Sequence, residues 1–451
     1  MLIPAPLQGR TMEMHHRRLL IWHMLLALMT LLFFVSPIGA QGDAHVDVLT
    51  AKGAITPIVA GYIQRGIETA EEDGAACLVI ELDTPGGSVQ VTEQIIQSMK
   101  AATVPIVIYV YPQGGKAASA GTFLTFAAHA AAMAPNTRIG AAHPVTMGEE
   151  MSEAVEDKAV NDTVALIKGL AKPRGPDAIA WAEEAVRESS SITEDEALEL
   201  GVVDLVVRDL EALLEELDGR EVLVGEARLI LHTAGARVNR VPMNAIEGFL
   251  HTITDPNIAF ILMTLGLNGI IFELSQPGGY LAGIVGAICL VLALFSFGVL
   301  SVNWTGLIFV ALAFVLFIAD VKAPTHGILT IGGVISFVLG SMVLFNTPFA
   351  PISRGLVLGV GLATGSFFAF AIAKVFGALQ RQPTTGMEGL IGQPAEARSD
   401  LDPKGTIFLK GELWQAMTDG GEVKEGEEVE VTGVDRFRLL VRRKGRASPQ
   451  E

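Results

Sequence analysis

The stretch from residue 77 to residue 88 reads CLVIELDTPGGS and decides the architecture of the first half of the chain. Its apolar run ends at Leu82 and is typical of a buried strand, whereas a helical pattern begins at Val89. The turn between them contains Gly86 and Gly87, which permit positive φ and let backbone amides approach a ligand closely. By itself the turn fits either a ligand-contacting loop or a plain connection between a strand and a helix.

Short β-branched runs alternate with helical patterns over a wider region, from His45 to about Leu223. Strands that alternate with helices of about ten or more residues predict βαβ units, and such units build a largely parallel sheet with helices on both faces. We therefore expect an α/β domain of about 180 residues. Within it, His129 lies at an apolar helical end, and we interpret it as a packing histidine with its polar atoms satisfied.

A second turn, GGKAASAG at residues 114–121, follows the next predicted strand and precedes another helical run. Ser119 in this turn has only small neighbours, so it is either a sterically open nucleophile or an ordinary helix N-cap. The carboxyl ends of neighbouring parallel strands meet at one edge of a sheet, where sites of α/β proteins usually lie. We therefore expect the amide of Gly87 or Gly86 and the amide of Ala120 to converge beside Ser119 as an oxyanion hole.

The apolar residues concentrate in two places, which predicts a membrane protein with soluble domains. At the N-terminus, Arg17 and Arg18 precede an apolar stretch and small residues that end at Ala40, the pattern of a secretory signal. Cleavage near Ala40 and an uncleaved anchor both remain open. In either case the domain that follows begins outside the cytoplasm.

The second apolar block predicts a transmembrane bundle of four or five helices. Its glycines would allow the helices to pack closely. With five spans and the first domain outside, four basic loop residues show a cytoplasmic excess, and we expect the C-terminal domain in the cytoplasm. So few charges leave its side of the bilayer open. The apolar stretches are Ile258–Phe272, Tyr280–Leu300, Leu307–Ile318, Ile328–Phe345 and Leu356–Val375.

Short apolar runs after a polar linker at 380–386 have no helical period, and glycine-containing acidic turns separate them. From residue 387 to residue 443 this pattern predicts a small closed β-barrel. Barrels of this kind often bind nucleic acid, but aromatic residues are few here and basic residues cluster only near the C-terminus. We therefore interpret the barrel as an adaptor for another protein.

The charge balance also disfavours nucleic acid as a partner. The chain carries 32 basic and 49 acidic residues, a net charge of −17, and such a chain repels phosphate backbones. Its two cysteines, Cys77 and Cys289, cannot form a disulfide framework or a cysteine-based zinc site. We predict neither a metal site nor a cofactor.

Three motifs together resemble the NfeD family of membrane-bound serine proteases: DTPGG at 83–87, AASAG at 117–121 and APNTRIGAAHP at 134–144. The resemblance covers nearly all of the chain after the signal segment. It implies an α/β ClpP/crotonase-like soluble domain, an α-helical transmembrane bundle and a small all-β OB-fold barrel. The expected boundaries are a signal peptide at 1–40, the protease domain at 41–240, the membrane region at 241–380, and the linker with the OB-fold domain at 381–451.

The nucleophile needs a base, and two residues compete for this role. The resemblance implies Lys158, although a lysine acts as a base only when it is neutral, and acidic neighbours such as Asp162, four residues later, oppose that. His143 lies 24 residues after Ser119, and an imidazole needs no large pKa shift to act near neutral pH. No motif in the sequence identifies a carboxylate that could be the partner of His143 in a triad.

The resemblance implies a membrane-anchored serine endopeptidase with a Ser119–Lys158 dyad, which cleaves hydrophobic segments of membrane-associated proteins. It also implies stomatin- or flotillin-like partners and self-association into dimers or larger oligomers. Two alternatives remain: a ClpP-like peptidase that uses His143, and a non-catalytic scaffold that organises stomatin-like proteins in the membrane.

Overall fold

The fold is described from a computed structural model. The predicted signal segment 1–40 and the linker 380–386 lie outside the described residues. The predicted domain boundaries stay predictions. The description covers residues 44–145, 152–275, 278–300, 302–323, 325, 327–344, 352–379, 387–418 and 420–444.

The first domain contains eleven strands in its described part. Six of them form the central sheet in the order β11-β1-β2-β3-β5-β8, and every neighbouring pair is parallel. The predicted parallel sheet is therefore confirmed. The strands are β1 (His45–Lys52), β2 (Cys77–Asp83), β3 (Ile106–Val110), β4 (Lys116–Ala118), β5 (Ala130–Met133), β6 (Arg138–Gly140), β7 (Ser191–Thr193), β8 (Leu205–Val206), β9 (Glu221–Val224), β10 (Ala227–Ile230) and β11 (Arg237–Arg240).

Helices connect these strands and cover the sheet. They are α1 (Pro57–Asp73), α2 (Val89–Ala101), α3 (Ala120–Ala127), α4 (Glu153–Ala171), α5 (Pro176–Arg187), α6 (Glu194–Glu199), α7 (Leu210–Leu217) and α8 (Ala245–Ile253). The sequence of β2 is continuously apolar because both faces of the strand are buried. Leu78 and Ile80 belong to the hydrophobic core on one face, and Cys77 and Val79 belong to the core on the other face. Both faces of the sheet are buried, as the sequence predicted.

A second, smaller sheet carries the turn with Ser119. Strand β4 pairs in parallel with β6, and β6 pairs antiparallel with β7. Strand β4 ends at Ala118 and α3 begins at Ala120, so Ser119 is the single residue between a strand and a helix. This sheet holds the serine turn against the carboxyl end of the central sheet.

The described part of the chain continues with five apolar helices: α9 (Pro256–Ser275), α10 (Leu281–Leu300), α11 (Trp304–Lys322), α12 (Ile328–Leu344) and α13 (Arg354–Leu379). Three of them, α9, α10 and α13, are long and apolar enough to cross a membrane, and the apolar parts of the other two are shorter. Glycines let α9 and α10 pack tightly, because a Cβ on Gly286 would lie 2.9 Å from the carbonyl oxygen of Gly266. The predicted role of glycine in close helix packing is confirmed at this pair.

The C-terminal region is a closed barrel of β12 (Pro394–Ala397), β13 (Lys404–Leu409), β14 (Glu412–Thr418), β15 (Glu428–Asp435) and β16 (Arg438–Arg443). Alternate residues such as Val429, Val431, Leu439 and Val441 point inward and are fully buried. The predicted fold class of an α/β domain, a helical membrane region and a small all-β barrel is confirmed.

His129 is the packing histidine that the sequence indicated. Its Nδ1 accepts a hydrogen bond of 2.9 Å from the amide of Ile106. Burial, with a smaller effect of the nearby Lys100 ammonium, lowers the pKa of His129 to about 4. The folded domain therefore holds this imidazole neutral at a pH where an unfolded histidine is already charged.

We expect the stability of the wild-type chain to fall as the pH decreases from about 6.5 to about 4, because the unfolded state then binds a proton that the native state excludes. The replacement His129→Asn keeps an acceptor near the position of Nδ1 but has no group that titrates in this range. The variant should lose less stability over the same interval, by on the order of 2 kcal/mol. Thermal unfolding of the full chain in detergent at several pH values measures the difference, and parallel curves for the two proteins would contradict it.

Candidate active site

A short backbone bridge joins the two glycine-containing turns. The amide of Thr84 donates to the carbonyl of Lys116 at 2.7 Å, and the amide of Ala118 donates to the carbonyl of Thr84 at 3.1 Å. Thr84 is fully buried. The expected meeting of the two turns at the end of β2 and β3 is therefore confirmed, and it brings the glycine pair to the serine turn.

Gly86 and Gly87 have different hydrogen bonds within the first turn. The amide of Gly86 donates to Thr84 Oγ1 at 3.0 Å, and its carbonyl accepts from the amide of Ile55 at 2.8 Å. In the described part of the chain, the amide of Gly87 has no hydrogen-bond acceptor. A Cβ on Gly87 would lie 2.3 Å from the carbonyl oxygen of Ile55, so only glycine fits there without displacement.

Ser119 has a strained backbone, with φ 50° and ψ −111°. A residue with a side chain rarely adopts such a conformation, and strain of this kind clusters at functional sites. The catalytic serine of a nucleophile elbow likewise lies on a sharp, strained turn between a strand and a helix. The amide of Ser119 donates to the carbonyl of Gly140 at 2.9 Å, and Thr122 Oγ1 donates to the same carbonyl at 3.0 Å.

The hydroxyl of Ser119 does not cap the helix. Ser119 occupies the N-cap position of α3, but its side chain makes no capping hydrogen bond. The sequence left open whether this serine is an N-cap or a nucleophile. The geometry excludes a capping role for its hydroxyl. Ala120, the first residue of α3, has an amide without an intrahelical acceptor, as expected in a first helical turn.

A cleft of about 480 Å³ opens beside the serine. Gly87, Ser119, Ala120 and His143 all line it, whereas Gly86 and Lys158 do not. Sequence reasoning missed the segment 54–57, which also lines the cleft. No local motif marks this segment, because it reaches the site through its pairing with Gly87.

Both ring nitrogens of His143 lie near other groups. Nδ1 lies 2.9 Å from the carbonyl oxygen of Val186, so the ring donates from Nδ1, and Nε2 lies 3.6 Å from Glu156 Oε1. In a serine–histidine–carboxylate triad, one ring nitrogen faces the serine and the other faces the carboxylate. Among the residues that the structure describes, no hydrogen bond joins the Ser119 hydroxyl to His143 or to Lys158.

Lys158 lies on helix α4, one turn before Asp162 and two turns before Leu166. Asp162 and Leu166 line the cleft, and residues four apart share a helix face. Since each residue adds about 1.5 Å to the length of a helix, Lys158 lies about 6 Å before Asp162 along the helix axis, toward the N-terminus of α4. Lys158 is exposed, and in the described part of the chain it forms no ion pair with Asp162.

The described residues contain no group of three or more His, Cys, Asp or Glu side chains that could hold a metal ion. Cys77 is buried in the core, which raises the pKa of its thiol to about 12. It is therefore an unreactive packing residue. The residues that line the cleft include Ser119, with its hydroxyl, and His143, with its imidazole.

Three family models match the chain in order. They are the NfeD1b N-terminal domain at residues 45–227, the NfeD integral membrane domain at 257–374 and the NfeD-like C-terminal, partner-binding domain at 387–443. A membrane-bound protease of Pyrococcus horikoshii is 35% identical over 431 residues, which cover 92% of this chain and 97% of that protein. The membrane protein NfeD1b of Bacillus subtilis is 23% identical over 449 residues, 91% of this chain and 97% of that protein.

Solved structures similar to the first domain include a membrane-bound stomatin-specific protease, a lysine-to-alanine mutant in complex with a substrate peptide. It has 35% sequence identity and a TM-score of 0.45, and the match covers 48% of this chain and 99% of that one. A C-terminal domain of a stomatin operon partner protein from Pyrococcus horikoshii has 36% identity and a TM-score of 0.13. That match covers 14% of this chain and 98% of that one.

The close contact at Gly87 gives a direct test of the turn geometry. We expect Gly87→Ala to lower the free energy of unfolding by about 1–3 kcal/mol, because the new Cβ pushes the turn away from Ile55. The control Gly61→Ala lies in helix α1 with no atom near the added Cβ, and it should be neutral or stabilising by up to about 1 kcal/mol. Thermal unfolding of the full chain compares the two, and equal stability would show that the turn tolerates a side chain.

Proposed function

Because the chain belongs to the NfeD family of membrane-bound serine proteases, we propose that Ser119 is its nucleophile and that it cleaves apolar segments of membrane-associated proteins. The observation that carries the proposal is the strained Ser119 at the entrance of α3, which lines the cleft and whose hydroxyl does not cap the helix. Ser119 Oγ attacks the peptide carbonyl carbon and forms an acyl-enzyme as the amine leaves. Water then hydrolyses the ester and restores the hydroxyl.

The amides of Gly87 and Ala120 bind the oxyanion of the tetrahedral intermediate. Both residues line the cleft beside Ser119. Amides that are already oriented toward the developing charge stabilise a transition state without reorganisation. The amide of Gly86 already donates to Thr84 Oγ1, which supports Gly87 as the donor from this turn.

Lys158 serves as the base in this proposal. It takes the proton of Ser119 and later delivers it to the leaving amine. Lys158 lies on the same face of α4 as Asp162 and Leu166. This supports the role, because both of those residues line the cleft. A lysine accepts a proton only in its neutral form, which an apolar surrounding from which water is excluded favours in general. In this proposal His143 only lines the cleft. Its Nδ1 donates to the backbone carbonyl of Val186 and not to a carboxylate, as it would in a triad.

Cleavage of an apolar fluorogenic peptide by the full chain in detergent tests these roles. Ser119→Ala and Lys158→Ala should each reduce kcat/KM by about a thousand-fold or more. Lys158→Arg should be equally inactive, because a guanidinium stays charged and cannot accept the proton. His143→Ala should stay within about ten-fold of wild type, since it removes only a lining side chain.

Lys168→Ala is the matched control. Lys168 lies on the same helix as Lys158 and pairs with Glu183 at the surface, so its loss should leave cleavage unchanged. Full activity of Lys158→Ala together with loss in His143→Ala would assign the base to His143. If the wild-type chain cleaves nothing and is not labelled by a fluorophosphonate, the protein is a non-catalytic scaffold and not an enzyme.

The membrane arrangement and partners form the rest of the proposal. We place the protease domain at 41–240 outside the cytoplasm and the barrel of 381–451 inside, with stomatin- or flotillin-like membrane proteins bound to the barrel and the chain assembled as a dimer or larger oligomer. The description of the matched C-terminal model as partner-binding supports the role of the barrel. Leu413 and Phe437 are 67% and 86% exposed, and exposed apolar side chains of this size suit a protein interface.

Leu413 and Phe437 lie near the beginnings of β14 and β16, two parallel neighbours, and therefore at the same end of the barrel. We expect Phe437→Ser in the full chain to weaken binding of a stomatin-like protein by about ten-fold or more, because a large apolar contact is lost. Glu430→Ser, an exposed position on β15, is the control and should bind as wild type does. Co-purification from mixed detergent micelles measures both, and unchanged binding by Phe437→Ser would place the interface elsewhere.

A further inference from the structure

Helix α10 reaches the active-site cleft. Its last two residues, Val299 and Leu300, line the same cavity as Ser119. Leu300 is only 7% exposed and Val299 is half-buried, so both side chains are packed against protein. The helix itself is long and apolar enough to cross a membrane. One membrane-spanning helix therefore ends as part of the cleft that holds the proposed nucleophile.

Two polar contacts hold α10 in place relative to the protease domain. Arg65 of α1 binds Glu247 of α8 through two hydrogen bonds of 2.8 and 2.6 Å. At the other end of α8, the carbonyl of Ile253 accepts a hydrogen bond of 2.6 Å from Ser296 Oγ of α10. Helix α1 starts at Pro57, the last residue of the cleft-lining segment 54–57, so these contacts connect one part of the cleft lining to the other.

The cleft lining is largely apolar beside the serine. Phe123 and Leu166 contribute to it from α3 and α4, while Val89 and Val145 are 55% and 44% exposed at its surface. Phe295, one turn before Val299 on the same face of α10, is also apolar and 44% exposed. An apolar segment that follows α10 out of the bilayer would reach Ser119 along an apolar path and would not have to leave its side chains in water.

We propose that Val299 and Leu300 form a substrate subsite, which selects apolar residues of a peptide segment that emerges from the membrane. This inference rests on the proposed function of Ser119. It assigns part of the specificity to the membrane region rather than to the protease domain alone. The expected substrate is a chain whose cleaved bond lies next to a membrane-embedded apolar stretch.

Photo-crosslinking in the full Ser119→Ala chain, held in phosphatidylcholine nanodiscs, tests the subsite. The probe is a leucine-rich peptide whose apolar end inserts into the nanodisc, and benzoylphenylalanine is placed in the protein at position 299, 89 or 294. We expect adducts from position 299 and from position 89, which lines the cleft. Position 294 is exposed but lies five residues before Val299, about 140° around the same helix, and should give none.

Each outcome bears on the subsite separately from the chemistry of Ser119. Adducts at 89 without any at 299 would remove α10 from the subsite, and the absence of adducts at both would overturn the inference because the peptide does not occupy the cleft. Fluorophosphonate labelling of the wild-type chain reports on Ser119 independently. Labelling without crosslinking at 299 would leave the proposed nucleophile intact and overturn only the subsite.

Selectivity gives a second readout. We expect Val299→Ser to reduce the ratio of kcat/KM for an apolar peptide to kcat/KM for a polar peptide by about ten-fold, since one small apolar contact in a pocket discriminates by about that factor. Val299 is half-buried, so this variant disturbs folding less than a change at Leu300 does. Leu294→Ser should keep the wild-type ratio, and equal ratios for all three proteins would contradict the subsite.

Discussion

The bridge between Thr84 and Ala117 is the constraint on which the site depends. It pairs Thr84, the residue after β2, in parallel with Ala117 of β4, and it joins two segments that are more than thirty residues apart. Its two backbone hydrogen bonds hold the glycine turn against the serine turn. Burial of Thr84 makes the bridge costly to break, because its polar groups would lose their partners away from water.

The strained conformation of Ser119 follows from this bridge and from the small sheet. Strand β4 is held on one side by Thr84 and on the other by β6, while the carbonyl of Gly140 binds both the Ser119 amide and the Thr122 hydroxyl. A conformation that costs of order 1–3 kcal/mol persists only when its surroundings fix it on several sides. The core of the α/β domain thus supports a geometry that the serine alone would avoid.

The contacts through α8 give the membrane region a part in this arrangement. Helix α8 binds α1 at its beginning and α10 at its end, through one ion pair and one hydroxyl hydrogen bond. The cleft beside Ser119 and the apolar helix α10 therefore share residues, Val299 and Leu300.

The sequence by itself determined the parallel sheet, the two turns, the apolar helices and the barrel, because each depends on the burial pattern or backbone freedom of neighbouring residues. The meeting of the turns followed from general rules for consecutive parallel strands, whereas the pairing of β11 with β1 was not predicted. Only the tertiary structure decided that the Gly86 amide is occupied and the Gly87 amide is not, and that His143 faces Val186 and Glu156. It also decided that Leu300 lies at the cleft, since contacts between segments far apart in the chain arise from packing that no local pattern records.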